Sequence, residues 1–280
     1  MFGFLRGKAK DPKASLMEVL GTAKVPHVPA AATRALAALR DPNIPTQALA
    51  DIVGADPGMT ANLIRTANSA SFGLRTPVDS LRHALVMLGR SQVELIVLSV
   101  AVKKVLPSAP TAAFQPKRFW AAAALRASVA GALAEVLDRP SKDVAFTAGL
   151  LQDLALPLLA HARGPAYERV LLAWHADEQD LEVMESGEFG WDHAAVGGWL
   201  GEAWGFPESL RKALGGHHGA EDAPAPVQLV GLLPEKGGER GMERLVETAR
   251  DRWNLPPDTT MAAVAAGTER SVELARLFAA

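Results

Sequence analysis

Side chains that could bind a metal ion or transfer protons occur in three short stretches that are far apart in the chain. They are Gln152-Asp153, His193 and His217-His218. Imidazole nitrogens and carboxylate oxygens ligate transition metals, and histidine also gains and loses protons near neutral pH. We predict that these five side chains line one cleft, which binds a ligand or a protein partner. Histidines at such positions also serve as hydrogen-bonded packing residues, and that alternative stays open.

The elements that must position these residues are predicted to be α-helices throughout. Apolar residues recur at three- and four-residue steps, as in Leu49, Ile52 and Val53, which places them on one face of a helix. Asp56 followed by Pro57 is typical of a helix start. The sequence has no clear alternation of apolar and polar residues that would indicate strands. The pattern therefore predicts an all-α protein.

One predicted helix, from Leu95 to Val102, is apolar on nearly all of its faces. A helix of this type is buried, and this one is too short to cross a bilayer. We interpret it as the central helix between two helical lobes, with a boundary in the proline-containing loop that begins at Pro107. The predicted division is a flexible tail over residues 1–13, a main domain over 14–219 (lobe one about 14–110, lobe two about 115–219) and a helical extension over 220–280.

Lobe one contains a distinctive series of small and polar residues. It includes Asn68-Ser69-Ala70-Ser71-Phe72-Gly73, followed by Ser80-Leu81-Arg82-His83-Ala84-Leu85-Val86-Met87-Leu88-Gly89. Together with Asp41-Pro42 and with Trp204-Gly205-Phe206-Pro207, this series resembles the HDOD domain family. The resemblance implies two packed helical lobes, an N-terminal helical bundle and an HD-like helical bundle. It also implies a bacterial signalling module, related to HD-type metal phosphohydrolases but generally lacking their metal ligands.

The same resemblance implies that the metal centre of the phosphohydrolases has been lost. Ala122 stands at the position of an early histidine, Gln152 replaces the histidine of a His-Asp pair, and the apolar pair Ala155-Leu156 follows. Glutamine is a poor metal ligand, and Asp153 alone cannot hold an ion tightly. We therefore expect no catalytic residue, no bound metal and no cofactor.

These observations predict a protein that is not an enzyme and that regulates others through protein–protein interaction. Its expected partner is another signalling protein. Two alternatives remain open: a receptor for a small nucleotide second messenger, and a metal-dependent phosphohydrolase with a non-standard site. A second candidate binding surface comprises Asn68, Ser69 and Leu74, although Asn and Ser at a helix end also satisfy backbone groups.

Composition sets limits on the function classes. The 280 residues include no cysteine, which excludes disulfides and thiolate zinc sites and suits a reducing cytoplasm. The formal net charge of -2 and the absence of a basic block argue against nucleic-acid binding, which requires a concentrated positive surface. We expect a cytoplasmic protein without a membrane span.

Overall fold

The structure is a computed structural model, and it describes residues 12–21, 23–68, 76–176, 179–233 and 239–279. Within these residues the regular elements are helices and no strand occurs, which confirms the predicted all-α class. The first five helices are α1 (Pro12–Leu20), α2 (Ala30–Arg40), α3 (Thr46–Gly54), α4 (Pro57–Ala67) and α5 (Leu81–Val105). Most of the predicted N-terminal tail, residues 1–11, lies outside the described residues.

The N-terminal bundle consists of α2 to α4 packed against α5. Helix α4 begins as predicted, because the side chain of Asp56 accepts a hydrogen bond from the backbone N–H of Met59 at 2.9 Å. The same carboxylate lies 2.9 Å from the ammonium group of Lys104 near the end of α5. A helix cap thereby also ties two helices together.

Helix α5 consists of two helical halves joined at Gly89. This glycine has a φ of 72°, in the left-handed region that glycine adopts without strain, and the helix direction changes there. The second half is buried, with Ile96 and Leu98 only 3% and 1% exposed. Helix α5 as a whole contacts α2, α3 and α4 and also helix α7 (Lys142–Leu151). The prediction that its second half is buried is confirmed.

Helix α1 packs against the second half of the protein, although the predicted division places it in lobe one. Its contacts are with α8 (Ala155–Arg163) and α11 (His193–Ala203). Arg163 donates a hydrogen bond to the carbonyl of Glu18 at 3.0 Å, which fixes α1 there. The physical reason is that Leu16 and Leu20 are fully buried and need an apolar partner surface.

The HD-like bundle contains seven helices in the described residues: α6 (Pro116–Leu137), α7, α8, α9 (Pro165–Ala176), α10 (Leu181–Phe189), α11 and α12 (Glu208–Gly215). Helices α6 and α7 lie very close together at Gly149. A β-carbon at this position would lie 2.8 Å from the carbonyl oxygen of Arg126, which no real side chain tolerates. This close approach sets Arg126 of α6 beside the turn that follows α7.

The C-terminal extension forms α13 (Ala225–Val230), α14 (Glu239–Trp253) and α15 (Pro257–Ala279). Helix α15 lies along α6, and α14 packs on α13 and α15. A β-carbon on Gly267 of α15 would lie 2.5 Å from the α-carbon of Val129 in α6. The extension therefore shares a core with the HD-like bundle.

By length and composition alone, two described helical stretches would suffice to cross a membrane, and a third would if the bent helix α5 counted as one span. The two stretches are Pro116–Leu137 and Arg139–Arg163, the latter comprising a short 3₁₀ turn, α7 and α8. Their most apolar windows are 67% and 89% buried inside the protein. Packing against other helices thus accounts for their apolar character.

Candidate functional site

Four of the predicted site residues form one compact group, which we call the histidine cluster: Asp153, His193, His217 and His218. Nε2 of His193 lies 2.9 Å from Nε2 of His218 and 3.3 Å from Nε2 of His217. Oδ1 of Asp153 lies 3.5 Å from Nε2 of both His193 and His217. The fold therefore brings together side chains from the turn after α7, the start of α11 and the residues after α12.

His193 is held by a buried carboxylate that the sequence analysis did not identify. Glu185 of α10 accepts hydrogen bonds from the backbone N–H and from Nδ1 of His193, at 2.8 and 2.6 Å. The other oxygen of Glu185 accepts a hydrogen bond from the hydroxyl of Tyr167. Burial alone would lower the pKa of His193, but the charge of Glu185 and the contact with Asp153 outweigh it, and this pKa lies well above its usual value.

Asp153 is paired with a buried arginine. Nη1 of Arg126 lies 2.8 Å from Oδ2 of Asp153, and Nε of Arg126 donates a hydrogen bond to the carbonyl of Leu233 at 2.9 Å. Burial opposes ionisation of Asp153, but the charge of Arg126 and the neighbouring imidazoles of His193 and His217 hold the pKa of this carboxyl well below its usual value. Asp153 is therefore a carboxylate with a fixed counter-ion.

The remaining two imidazoles are oriented through their Nδ1 atoms. Nδ1 of His217 donates to the carbonyl of Leu214 at 2.7 Å, which directs Nε2 towards His193 and Asp153. Nδ1 of His218 lies 3.6 Å from Oε1 of Glu182. Burial, together with the neighbouring His217 and His193, lowers the pKa of His218 well below its usual value. Burial likewise raises the pKa of Glu182.

The positions implied for an HD-type hydrolytic centre do not fit a metal ion. Gln152 is 1% exposed, and its Oε1 has no hydrogen-bond partner within the described residues. From α6, Arg126 rather than a metal ligand reaches the cleft, one helical turn beyond Ala122. A guanidinium group beside Asp153 supplies a positive charge there without any ion. The three histidines are different, because their ligand atoms all lie within 4.8 Å of one another.

The histidine cluster lies at the base of a cleft of about 300 Å³. Helix α14 contributes three arginines to the cleft, Arg240, Arg244 and Arg252, together with Thr248. These four positions follow one another at four-residue steps, so neighbouring ones lie on the same face of the helix. Arg244 pairs with Asp180 at 2.6 Å, and Arg252 donates to Oε1 of Gln228 at 2.8 Å. All five predicted cleft residues, including Gln152, line this space.

The second candidate surface is described only in part. Nδ2 of Asn68 donates to the carbonyl of Val78 and Oδ1 of Asn68 accepts from the backbone N–H of Val78, each at 2.7 Å. The amide of Asn68, at the end of α4, thus satisfies two backbone groups of Val78, as the packing alternative expects. Ser69 and Leu74 lie outside the described residues.

Comparison with known proteins identifies one matching family and several solved structures with a similar fold. Residues 25–220 match the HDOD domain. An HDOD domain protein of unknown function from Geobacter sulfurreducens has a TM-score of 0.72 at 20% identity, covering 95% of this chain and 99% of its own. A protein from Shewanella amazonensis, provisionally named a phosphohydrolase, has a TM-score of 0.73 at 21% identity and covers 95% and 98%. A provisionally named signal transduction protein from Marinobacter aquaeolei has a TM-score of 0.72 at 22% identity and covers 97% and 66%.

A curated relative of unassigned function from Treponema pallidum is 22% identical over 205 residues, which are 71% of this chain but only 39% of that protein. The solved structures share the fold over nearly the whole chain, including the C-terminal extension. The fold is therefore that of HD-like helical proteins. The chain belongs to the HDOD domain family, as its resemblance in sequence indicated.

Proposed function

We propose that this HDOD protein is a non-catalytic signalling module of the cytoplasm, which regulates another signalling protein by binding it. The observation that carries the proposal is the ion pair between Arg126 and Asp153. Metal-dependent hydrolysis requires an ion with an open coordination position that activates water. Here Asp153 is neutralised by a guanidinium group, and Gln152 supplies a neutral amide.

The cleft suits regulation because several parts of the fold meet in it. The histidine cluster joins the segments that follow α7 and α12 to the start of α11, while α14 of the extension also lines the cleft. A ligand or partner that contacts both the histidine cluster and α14 favours the position of α14 to which it binds more tightly. A binding event in the cleft is thereby coupled to the outer surface of the extension.

A second candidate function is the binding of a nucleotide second messenger. The specific observation in its favour is the row of arginines that α14 places along the cleft, Arg240, Arg244 and Arg252. Guanidinium groups bind phosphate oxygens in pairs, and a cleft of about 300 Å³ lies at the small end of ordinary ligand sites. The buried oxygen of Gln152 would accept a hydrogen bond from a base.

Two measurements separate these functions. The purified protein is assayed for hydrolysis of a phosphomonoester and a cyclic dinucleotide with added Mn²⁺, Fe²⁺ or Zn²⁺, and we expect no turnover above a buffer control. Calorimetry against a panel of cyclic nucleotides tests the receptor hypothesis. Metal-dependent turnover that Asp153→Ala abolishes would overturn the non-catalytic proposal.

The partner itself is sought by affinity capture from the source organism with the tagged protein. Capture that His218→Ala weakens and His161→Ala preserves assigns the interaction to the cleft, because His218 lines the cleft while His161 is an exposed residue of α8. Capture that both variants retain equally would place the interaction on another surface.

A further inference from the structure

We propose that helix α14 carries a binding site for the phosphate group of a small ligand, formed by Arg244, Thr248 and Arg252, and that the phosphate binds by displacing Asp180 from Arg244. The proposal rests on the second candidate function, a phosphorylated ligand in the cleft. It adds the residues that recognise the phosphate and the change that binding transmits. Helix α14 lies outside residues 25–220, which match the HDOD domain, so the site belongs to the C-terminal extension.

Arg252 is held in place by neutral neighbours. Nη1 of Arg252 donates to Oε1 of Gln228 at 2.8 Å, and the guanidinium carbon lies 4.6 Å from the centre of the Trp253 ring. Gln228 is itself fixed, because its Nε2 donates to the carbonyls of Ala220 and Ala223 at 3.0 and 2.7 Å. No carboxylate of the described residues pairs with Arg252. This guanidinium therefore brings an uncompensated positive charge to the cleft, with further N–H groups that can donate.

Arg244 is the second phosphate ligand, although it has an anionic partner in this structure. Nη1 of Arg244 lies 2.6 Å from Oδ1 of Asp180, and each side chain of the pair is 38% exposed. An ion pair that water reaches contributes little to stability, so a phosphate monoester, with about two negative charges, can replace the carboxylate. Asp153 and Glu182, the other carboxylates of the cleft lining, lie beside the histidine cluster. Thr248 lies midway between the two arginines along α14 and provides a hydroxyl donor.

The arrangement of donors favours a phosphate over a carboxylate. Two guanidinium groups and a hydroxyl are offered from three positions along the helix, which suits the three terminal oxygens of a phosphate better than the two coplanar oxygens of a carboxylate. The cleft lining also offers a buried acceptor, because Oε1 of Gln152 has no hydrogen-bond partner in the part of the chain that the structure describes. The ligand that satisfies both is a small phosphate ester whose remaining part donates a hydrogen bond.

Release of Asp180 from Arg244 changes the start of helix α10. Asp180 occupies the N-cap position of α10, yet its side chain makes no capping hydrogen bond and contacts Arg244 instead. Aspartate is among the strongest capping residues, so the carboxylate that phosphate displaces can accept hydrogen bonds from the N–H groups of the first turn. Helix α10 also carries Glu185, which holds His193 of the histidine cluster. Phosphate binding on α14 is thereby coupled to the opposite end of the cleft.

The test uses the full-length protein with adenosine 5′-monophosphate as the probe and adenosine as the control ligand that lacks the phosphate. Calorimetry is expected to show saturable binding of the monophosphate and binding of adenosine that is weaker by roughly tenfold or more, because the charge-assisted hydrogen bonds are lost. Inorganic phosphate should bind more weakly than the monophosphate, since it cannot also reach Gln152. Absence of saturable binding, or adenosine that binds as tightly as its monophosphate, would overturn the site. Inorganic phosphate that binds as tightly would overturn the assignment of an ester.

Three variants test the residues. Arg252→Gln should weaken binding of the monophosphate by roughly tenfold or more. Arg250→Gln is the matched control on the same helix and should bind as the parent does, because Arg250 is exposed, contacts Asp251 and does not line the cleft. Asp180→Asn should strengthen binding, because it removes the competing carboxylate and keeps a capping side chain. Equal binding by the two arginine variants would overturn the site, and unchanged or weaker binding by Asp180→Asn would overturn the exchange at Arg244.

Two results separate this site from the second candidate function. Binding of a cyclic nucleotide that Arg252→Gln leaves unchanged would retain the receptor function and reject the site on α14. Binding of the monophosphate that depends on Arg252, without binding of any cyclic nucleotide, would retain the site and reject a cyclic second messenger.

Discussion

Nδ1 of His193 donates a hydrogen bond to Oε2 of Glu185 at 2.6 Å, and the two side chains are 4% and 0% exposed. The pair stabilises the fold beside the cleft, and His193 is also part of the candidate binding site. Removing one partner of a buried charged pair leaves the other without compensation, which costs far more than the pair itself contributes.

We therefore expect His193→Ala to lower the free energy of unfolding by about 3 kcal/mol. His218→Ala should cost less than about 1 kcal/mol, because that imidazole is 20% exposed and its contact with Glu182, at 3.6 Å, is longer than a hydrogen bond. Denaturant unfolding of both metal-free variants measures the difference. Equal losses of unfolding free energy in the two variants would show that the buried charge of Glu185 does not need His193 for compensation. The pair would then have no special role in stability.

The sequence supplied the members of the histidine cluster but not the residues that hold it. Asp153, His193, His217 and His218 were recognisable from residue type, because imidazole and carboxylate side chains bind ligands and transfer protons. Glu185 and Arg126 were not, because a charged residue on a helix is ordinarily solvent-exposed and only tertiary packing shows that these two are buried. An isolated arginine within the alanine-rich helix α6 was the signal available for Arg126.

The helical class and the central helix could also be predicted from the sequence, because periodicity and an all-round apolar segment depend on neighbouring residues alone. The packing of α1 on α8 and α11 was not, since it joins segments more than a hundred residues apart. Likewise, no sequence pattern indicated that the arginines of α14 line the cleft. Nothing local in a basic, amphipathic helix indicates which surface it covers.

The central helix provides a direct comparison between a buried and an exposed position on one element. Leu98 is 1% exposed in the second half of α5, whereas Val86 is 65% exposed in the first half. Leu98→Asp buries an unpaired charge, so we expect it to unfold or aggregate the protein. Val86→Asp should remain soluble and change the free energy of unfolding by no more than about 0.5 kcal/mol. Circular dichroism and size-exclusion chromatography distinguish the two outcomes.

The contact between Asp56 and Lys104 predicts a dependence of stability on pH. The hydrogen bond from Lys104 and that from the backbone of Met59 lower the pKa of Asp56 below its usual value of 3.8. A carboxyl whose pKa is depressed by folding stabilises the native state above its unfolded pKa, and this contribution is lost as the pH falls through the folded pKa.

Asp56→Asn retains a helix-capping side chain but removes the charge. At neutral pH it should lower the free energy of unfolding by about 0.5 kcal/mol, because the pair is reached by solvent. The difference from the parent should shrink as the pH drops below 3.8 and should also shrink in high salt. A difference that is constant from neutral to acidic pH would show that the ion pair does not contribute.

Gly267 tests whether the C-terminal extension is integral to the HD-like bundle. A β-carbon at this position would lie 2.5 Å from the α-carbon of Val129, so Gly267→Ala forces α15 away from α6. We expect a loss of about 1–3 kcal/mol, as for other overpacked cores. Gly187, an exposed glycine within α10 with no atom within 4 Å of the added carbon, is the control. Gly187→Ala should stabilise the protein by about 0.5 kcal/mol, because alanine is the better helix former. If Gly267→Ala is as stable as the parent in thermal and denaturant unfolding, α15 is not packed against α6 as described, and the extension folds apart from the bundle.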